Sequence, residues 1–231
     1  VEMMFQTTVT DLIIDNDEIK GVKIKEAKYI DDEEHPTQDV FADKVVLAVG
    51  RKGANWLVEM ANKHNIETET GIVDIGVRYE LPDEVMKDVN KYMYEAKFIG
   101  RVGPFRDKVR TFCQNPSGFV SAEVYDNNLT LVNGHSYKER KSTNTNLAIL
   151  VSHHFTSPFK RPIEYGRNVA QNLNDLGAGN IVVQRLGDIY RGKRTWDYEL
   201  EKNSVQATLK SAVAGDITFA LGYRTMTDIL Q

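Results

Sequence analysis

The run Val45-Val46-Leu47-Ala48-Val49 is continuous, apolar and closed by Gly50. It is too short for a buried helix, and its β-branched residues suit a strand covered on both faces. The spacing therefore predicts an interior strand over Val45 to Val49, with a mixed α/β surround. A helix is predicted from Ala54 to Lys63, carrying Trp56, Leu57, Met60 and Ala61 on one side, with Asn65 as a left-handed stop. Upstream, short apolar-rich runs at 3–9 and 19–25 flank Asp15-Asn16-Asp17-Glu18, a hairpin signal. The charged stretch 26–38, with Pro36, reads as an exposed loop.

From Gly71 the texture changes. Ile75, Val77 and Tyr79 alternate with Gly76, Arg78 and Glu80, the period of a half-buried strand. Pro82-Asp83-Glu84 opens a helix carrying Val85, Met86, Val89, Tyr92 and Met93. Strand-like runs follow at 97–101, 109–113, 119–124 and 129–132, with Asp126-Asn127-Asn128 as a turn, and together they predict an antiparallel meander. Leu147 to Val151 adds a further strand. Pro162 starts a helix with Ile163, Val169, Ala170, Leu173 and Leu176 on one stripe and Gly177 at its end. The tail from Ile181 is irregular, and Thr227 or Asp228 reads as a helix start close to the last residue. The predicted class is α+β (mixed α/β), with a boundary near residue 70: 1–70 as one segment and 71–231 as a mixed, largely antiparallel sheet domain with helices.

A chain of 231 residues with 41% hydrophobic content is long enough to bury a core. Its net charge of -4 argues against a nucleic-acid partner, which needs a strong basic excess. No apolar run approaches the roughly 18 residues of a membrane span. The single cysteine, Cys113, excludes an internal disulfide and fits a reducing, cytoplasmic setting, as does the lack of a basic-then-apolar leader. Both ends read as cut from a longer polypeptide, one entering directly into a strand and the other stopping inside a helix signal.

Several residues could carry chemistry. A strand ending in glycine lets a ligand approach bare backbone, so Val49, Gly50, Arg51 and Gly53 are candidate cofactor contacts. Cys113 becomes a redox partner if positive charge stabilises its thiolate, and Arg110 is close in sequence; the competing reading is a small buried hydrophobe. His135 lies at a strand end and could serve as acid or base, or simply bond to backbone. Arg78 and Arg110 sit on strand-like runs, where a charge needs a partner or a ligand. Arg185, Arg191, Lys193 and Arg194 form the one basic cluster, able to steer an anion or to remain a solvated loop. His153 and His154 are adjacent and would point to opposite faces of a strand, so no metal site is expected.

The succession Thr8 to Ile14, Glu18 to Ile24 and Ala42 to Gly50 resembles the module before the glycine turn in two-dinucleotide-binding-domain flavoproteins. There, a small β-meander leads to a strand ending in an Ala-Thr-Gly-like turn near the flavin. Here Val49 stands at the threonine position, so only the backbone part of that role carries over. Gly71-Ile72-Val73-Asp74-Ile75-Gly76-Val77-Arg78, the run Arg110 to Val120, Asn133-Gly134-His135-Ser136 and Gln184-Arg185-Leu186-Gly187-Asp188 are similar to uncharacterised bacterial NAD/FAD-utilizing dehydrogenases. The resemblance spans the whole chain. It implies part of a flavoprotein dinucleotide-binding domain at 1–70, a substrate or cap domain at 71–231, FAD in the full-length parent and NAD(P)H as an electron donor. The sequence lacks the G-x-G-x-x-G run that seats a pyrophosphate on a helix N-terminus. The implied partners are an unassigned small-molecule substrate and the remainder of the parent polypeptide, with the isolated chain inactive and not retaining FAD.

Two readings follow. In one, the chain is the substrate side of an FAD-dependent oxidoreductase, with Arg110, Cys113 and His135 facing flavin or substrate. In the other, it is a stand-alone, non-catalytic domain that binds a small anion or a protein.

Overall fold

A computed structural model describes residues 2–125 and 128–231. The chain forms two compact units, Val1–Glu69 and Thr70–Gln231, and its class is α+β. Of the expected turn at Asp126-Asn127-Asn128, the first two residues lie outside the described residues.

In the first unit, β1 (Thr7–Asp15) and β2 (Glu18–Glu26) pair antiparallel through the tight turn Asn16-Asp17. Both turn residues have positive φ, 50° and 63°, as a two-residue hairpin turn of matching twist requires. The strand thus begins at Thr7, later than the run at 3–9, and Met3, Met4 and Phe5 are exposed. A single 3-10 turn, Ala27–Tyr29, interrupts the charged stretch before β3 (Gln38–Phe41) completes a three-stranded sheet in the order β1-β2-β3. Gly21 is obligatory there: a Cβ would lie 2.1 Å from the Val40 carbonyl oxygen. Helix α1 (Ala54–Lys63) buries Met60, and Asn65 follows in the left-handed region, φ 54°. Asp11 of β1 ties the sheet to the end of α1, accepting from Lys63 Nζ (2.7 Å) and pairing with His64 Nε2 (2.7 Å).

The interior strand expected at Val45–Val49 is overturned. Among the described residues these five pair with no strand. Val45, Leu47 and Val49 are half-buried, while Val46 is 88% exposed. The sequence has the hydrophobicity of a doubly covered strand, but the chain leaves its sheet after Ala42, whose N–H donates to the Lys20 carbonyl. An apolar run becomes an interior strand only where neighbours hydrogen-bond both its edges.

The second unit is built on β4 (Val73–Pro82), β5 (Ile99–Arg101), β6 (Lys108–Asn115) and β9 (Asn144–His153), antiparallel throughout, in the order β4-β9-β6-β5. The expected meander is corrected here. β7 (Phe119–Val124) and β8 (Thr130–His135) form a separate hairpin, and the late strand β9 enters the middle of the sheet. Its central place matches its burial, with Val151, Thr145 and Asn146 all at 0% exposure.

Helices cover one face of this sheet. Ile75 packs with Val169 of α3 (Pro162–Leu176) and with Leu221 and Met226 of α6 (Thr218–Ile229). Leu81 and Leu147 pack with Met86 of α2 (Asp83–Asn90). α2 stops before Tyr92 and Met93, which are exposed. On α3 the expected stripe is buried only in its middle, since Ile163 and Leu176 are half exposed. The first turn of α2 is fixed by Asp83, which accepts from the Ser117 amide and hydroxyl and from Thr145 Oγ1 (2.6 Å). The tail is more regular than expected: α4 (Leu186–Tyr190), α5 (Asp197–Glu201) and the short parallel pair β10 (Val182–Val183) and β11 (Val213–Ala214) precede α6. α6 begins at Thr218 and bends at Gly222 (φ 75°), so Asp228 lies near its end rather than its start. No helix among the described residues is long and apolar enough to cross a membrane.

Candidate functional site

Opposite strand partners share a face, and alternate residues switch face. The register therefore sorts the sheet of the second unit. Ile75, Val151 and Val109 point into the helices. The other face carries Asp74, Ser152 and Lys108 in one row, Gly76, Leu150 and Arg110 in the next, and Arg78, Ala148 and Phe112 in a third. This polar face is the candidate site.

In the first two rows, Arg110 Nη2 donates to Asp74 Oδ2 (2.6 Å) and Ser152 Oγ donates to Asp74 Oδ1 (2.6 Å). Burial pushes the Asp74 carboxyl up, but the Ser152 and Arg110 hydrogen bonds outweigh it and hold the carboxyl below its ordinary value. Gly76 contributes bare backbone between Asp74 and Arg78; a Cβ there would meet the Ile149 carbonyl oxygen at 1.8 Å. Arg110 also lies over the Phe112 ring, 5.0 Å from its centroid.

The third row leads under the β7–β8 hairpin. Arg78 Nη1 donates to the Cys113 carbonyl (2.7 Å), Asn146 Oδ1 (2.9 Å) and Asn115 Oδ1 (3.1 Å), and Nη2 donates to Asn133 Oδ1 (3.2 Å). Burial pulls the Arg78 pKa below the ordinary arginine range. Its hydrogen bonds go to carbonyl and amide oxygens; the Glu123 carboxylate acts on it through its charge, and also accepts from Asn133 Nδ2 (2.7 Å). Arg78 Nε and Asn146 Nδ2 are buried without a hydrogen-bond partner. The cage leaves no space over Gly134, where a Cβ would lie 2.0 Å from Asn115 Oδ1 and 2.5 Å from Arg78 Nη1.

The predicted residues fall around this face in different ways. Cys113 sits at a register break in β6 with φ 45°, and it is the Arg78 guanidinium, not Arg110, that meets its carbonyl. His135 is exposed and follows Asn133 along the same face of the hairpin, with its ring 4.7 Å from that of Tyr137. Val49, Gly50, Arg51 and Gly53 belong to the first unit. Gly50 is left-handed (φ 63°), with nothing within 4 Å of where a Cβ would stand, and the Gly53 amide donates to the Val49 carbonyl (3.3 Å). The basic cluster is largely spoken for: Arg185 binds Asp188 through Nε (2.6 Å) and Nη2 (2.8 Å), Arg191 also reaches Asp188, and Arg194 lies over Trp196. His153 is buried and His154 exposed. Among the described residues no three His, Cys, Asp or Glu side chains are placed to hold a metal ion.

Sequence reasoning missed a second polar cluster, on the helix-covered side. Asp228 of α6 is 1% exposed, with both carboxyl oxygens unpartnered. Burial, with the neighbouring Asp107, pushes it above its ordinary value. Asp107 is gripped by Arg224 through Nε (2.5 Å) and Nη2 (2.8 Å), which holds it below its ordinary value. His153 Nε2 pairs with Thr225 Oγ1 (3.0 Å), and burial lowers its pKa. No sequence signal joins these residues, which lie up to 121 positions apart (Asp107 to Asp228).

Residues 72–222 match the family model described as "FAD-dependent protein, C-terminal domain-like". An uncharacterized protein of Clostridium beijerinckii is 27% identical over 175 residues, covering 68% of this chain and 32% of that relative. The chain thus spans about a third of the length of the curated relative it matches.

Proposed function

Because the chain belongs to the family of FAD-dependent proteins, C-terminal domain-like, we propose that it supplies the substrate side of the flavin site in a longer FAD-dependent oxidoreductase. The observation that carries this reading is the two-sided sheet within residues 72–222: helices close one face, and the other presents Arg110, Gly76 and Arg78 in adjoining rows. A sheet face with charged side chains and bare glycine backbone is not built as core.

FAD, when bound, accepts the two electrons of a dehydrogenation. The fit of this chain to FAD is partial. Within the first unit, Gly50 offers open left-handed backbone, and Val49, Gly50, Arg51 and Gly53 are its candidate cofactor contacts. No G-x-G-x-x-G run is present, so the pyrophosphate would be seated by other polypeptide. Toward the substrate, Arg110 would orient an anionic group, its guanidinium aimed by Asp74. His135, exposed beside the Arg78 cage, would exchange a proton with solvent or substrate. Cys113 would act through its carbonyl, which fixes Arg78. NAD(P)H as electron donor is carried by the sequence resemblance alone, and a cytoplasmic location by the single cysteine.

The test is a polypeptide extended at both ends to the length of the relative. It should purify yellow, with a flavin absorbance band and an FAD content near one per chain. A folded, colourless protein that takes up no FAD would end this reading.

A further inference from the structure

The polar face has a charge pattern that the ring of a flavin does not explain. β5 extends its first two rows: Arg101 stands opposite Lys108, and Ile99 opposite Arg110. Arg101, Lys108 and Arg110 therefore share the first two rows of this face, where Asp74 is the one carboxylate among the described strand residues, in a chain whose net charge is -4. Asp74 is already occupied by Arg110 and Ser152. Arg101 is exposed and spends one N–H on the Arg106 carbonyl (3.2 Å), leaving most of its five donors. Two positive charges are thus uncompensated. Arg78 lies one row further in, where the Glu123 charge acts on it, and Glu80, further along β4, accepts from Thr208 Oγ1 (2.5 Å).

Spacing and surroundings narrow the ligand. Cross-strand partners stand about 5 Å apart and alternate residues of one strand about 7 Å apart. Arg101, Lys108 and Arg110 therefore form a triangle on the scale of two linked anionic groups. Beside it lies Ile99 (64% exposed), an open apolar side chain opposite Arg110, while the Phe112 ring is engaged by Arg110 and Lys97. Arginine pairs bidentately with carboxylate and phosphate.

We propose that this face binds a small molecule carrying two negative charges, a diphosphate or a dicarboxylate, held by Arg101, Lys108 and Arg110 with its apolar part on Ile99. The binding stands on the charge pattern alone; its identification with the substrate rests on the flavoprotein reading.

The test uses the 231-residue chain and isothermal titration with inorganic pyrophosphate and, separately, succinate, at ionic strength matched with sodium chloride. Saturable binding of either supports the proposal, and the tighter of the two identifies the anionic group. Arg101→Ala, at an exposed position outside the core, should weaken that binding about tenfold, and Arg101→Ala with Lys108→Ala about a hundredfold. Arg101→Lys should keep most of it. No heat beyond the chloride control for either probe, or equal binding by the double variant, would overturn the proposal. Neither result bears on whether the extended polypeptide carries flavin.

Discussion

Two charged side chains are withdrawn from water in the second unit, on opposite sides of one sheet, and they are accommodated in contrasting ways. Arg78 keeps its charge and is surrounded by the oxygens of Cys113, Asn115, Asn133 and Asn146. Asp228 accepts no hydrogen bond at either oxygen and faces Asp107; burial, the Asp107 charge and a hydrogen bond between the two carboxyls raise its pKa above the ordinary carboxylate value. A guanidinium cannot shed its proton in a protein, so the fold must bring acceptors to it; a carboxyl can neutralise itself. The difference teaches that the Arg78 side was built around a fixed positive charge, while the Asp228 side tolerates a carboxyl by titrating it.

Substitutions can break this contrast. The largest effect is expected at the cage, from Gly134→Ala, whose methyl would enter the space of Asn115 and Arg78. Chemical denaturation should show a loss of about 3 kcal/mol, the upper range for overpacking. Next is Arg78→Met, which keeps the volume of the stem but strands several buried acceptors. A loss of about 2 kcal/mol is expected, together with faster amide exchange in β8. The smallest and most specific effect belongs to Asp228→Asn. Folded Asp228 binds its proton more tightly than the unfolded chain does. Its contribution is therefore complete at low pH and lost as pH rises through the raised value. Asp107 and Arg224 face it, with His153 near Asp107. His153 acts oppositely: neutral when folded, it costs stability as pH falls below its own ordinary range. Melting curves from pH 4 to 8 should show the asparagine variant losing less stability on the alkaline side than the parent. Identical profiles would mean that Asp228 is ionised in the folded chain.

Local signals in the sequence were read well where local physics decides. Asn16-Asp17 set a hairpin, Pro162 and Gly177 bounded α3, and the apolar face of 54–63 gave α1, so the α+β class followed. Val45–Val49 misled because hydrophobicity measures what a strand would like to bury, not whether neighbours exist. The place of β9 was hidden because its register with β6 and β4, whose nearest partners are 31 and 62 positions away (Asn115–Asn146 and Pro82–Asn144), leaves no trace in any one strand alone. Arg78 and Arg110 stood out as charges on alternating strands. Their partners did not: Asn115, Asn133 and Asn146 are ordinary until the register stacks them, and Arg101 joins Lys108 and Arg110 only through the β5–β6 pairing.

The stretch from Lys44 to Ala48 has one more consequence. Its amides and carbonyls make no backbone hydrogen bonds among the described residues, and Val46 stands almost fully in water. Unpaired backbone beside an exposed apolar side chain is a template onto which a second molecule can add a strand. Concentrated solutions of this chain should therefore form assemblies seeded at that stretch, and Val46→Lys would suppress them without touching the sheet of the second unit.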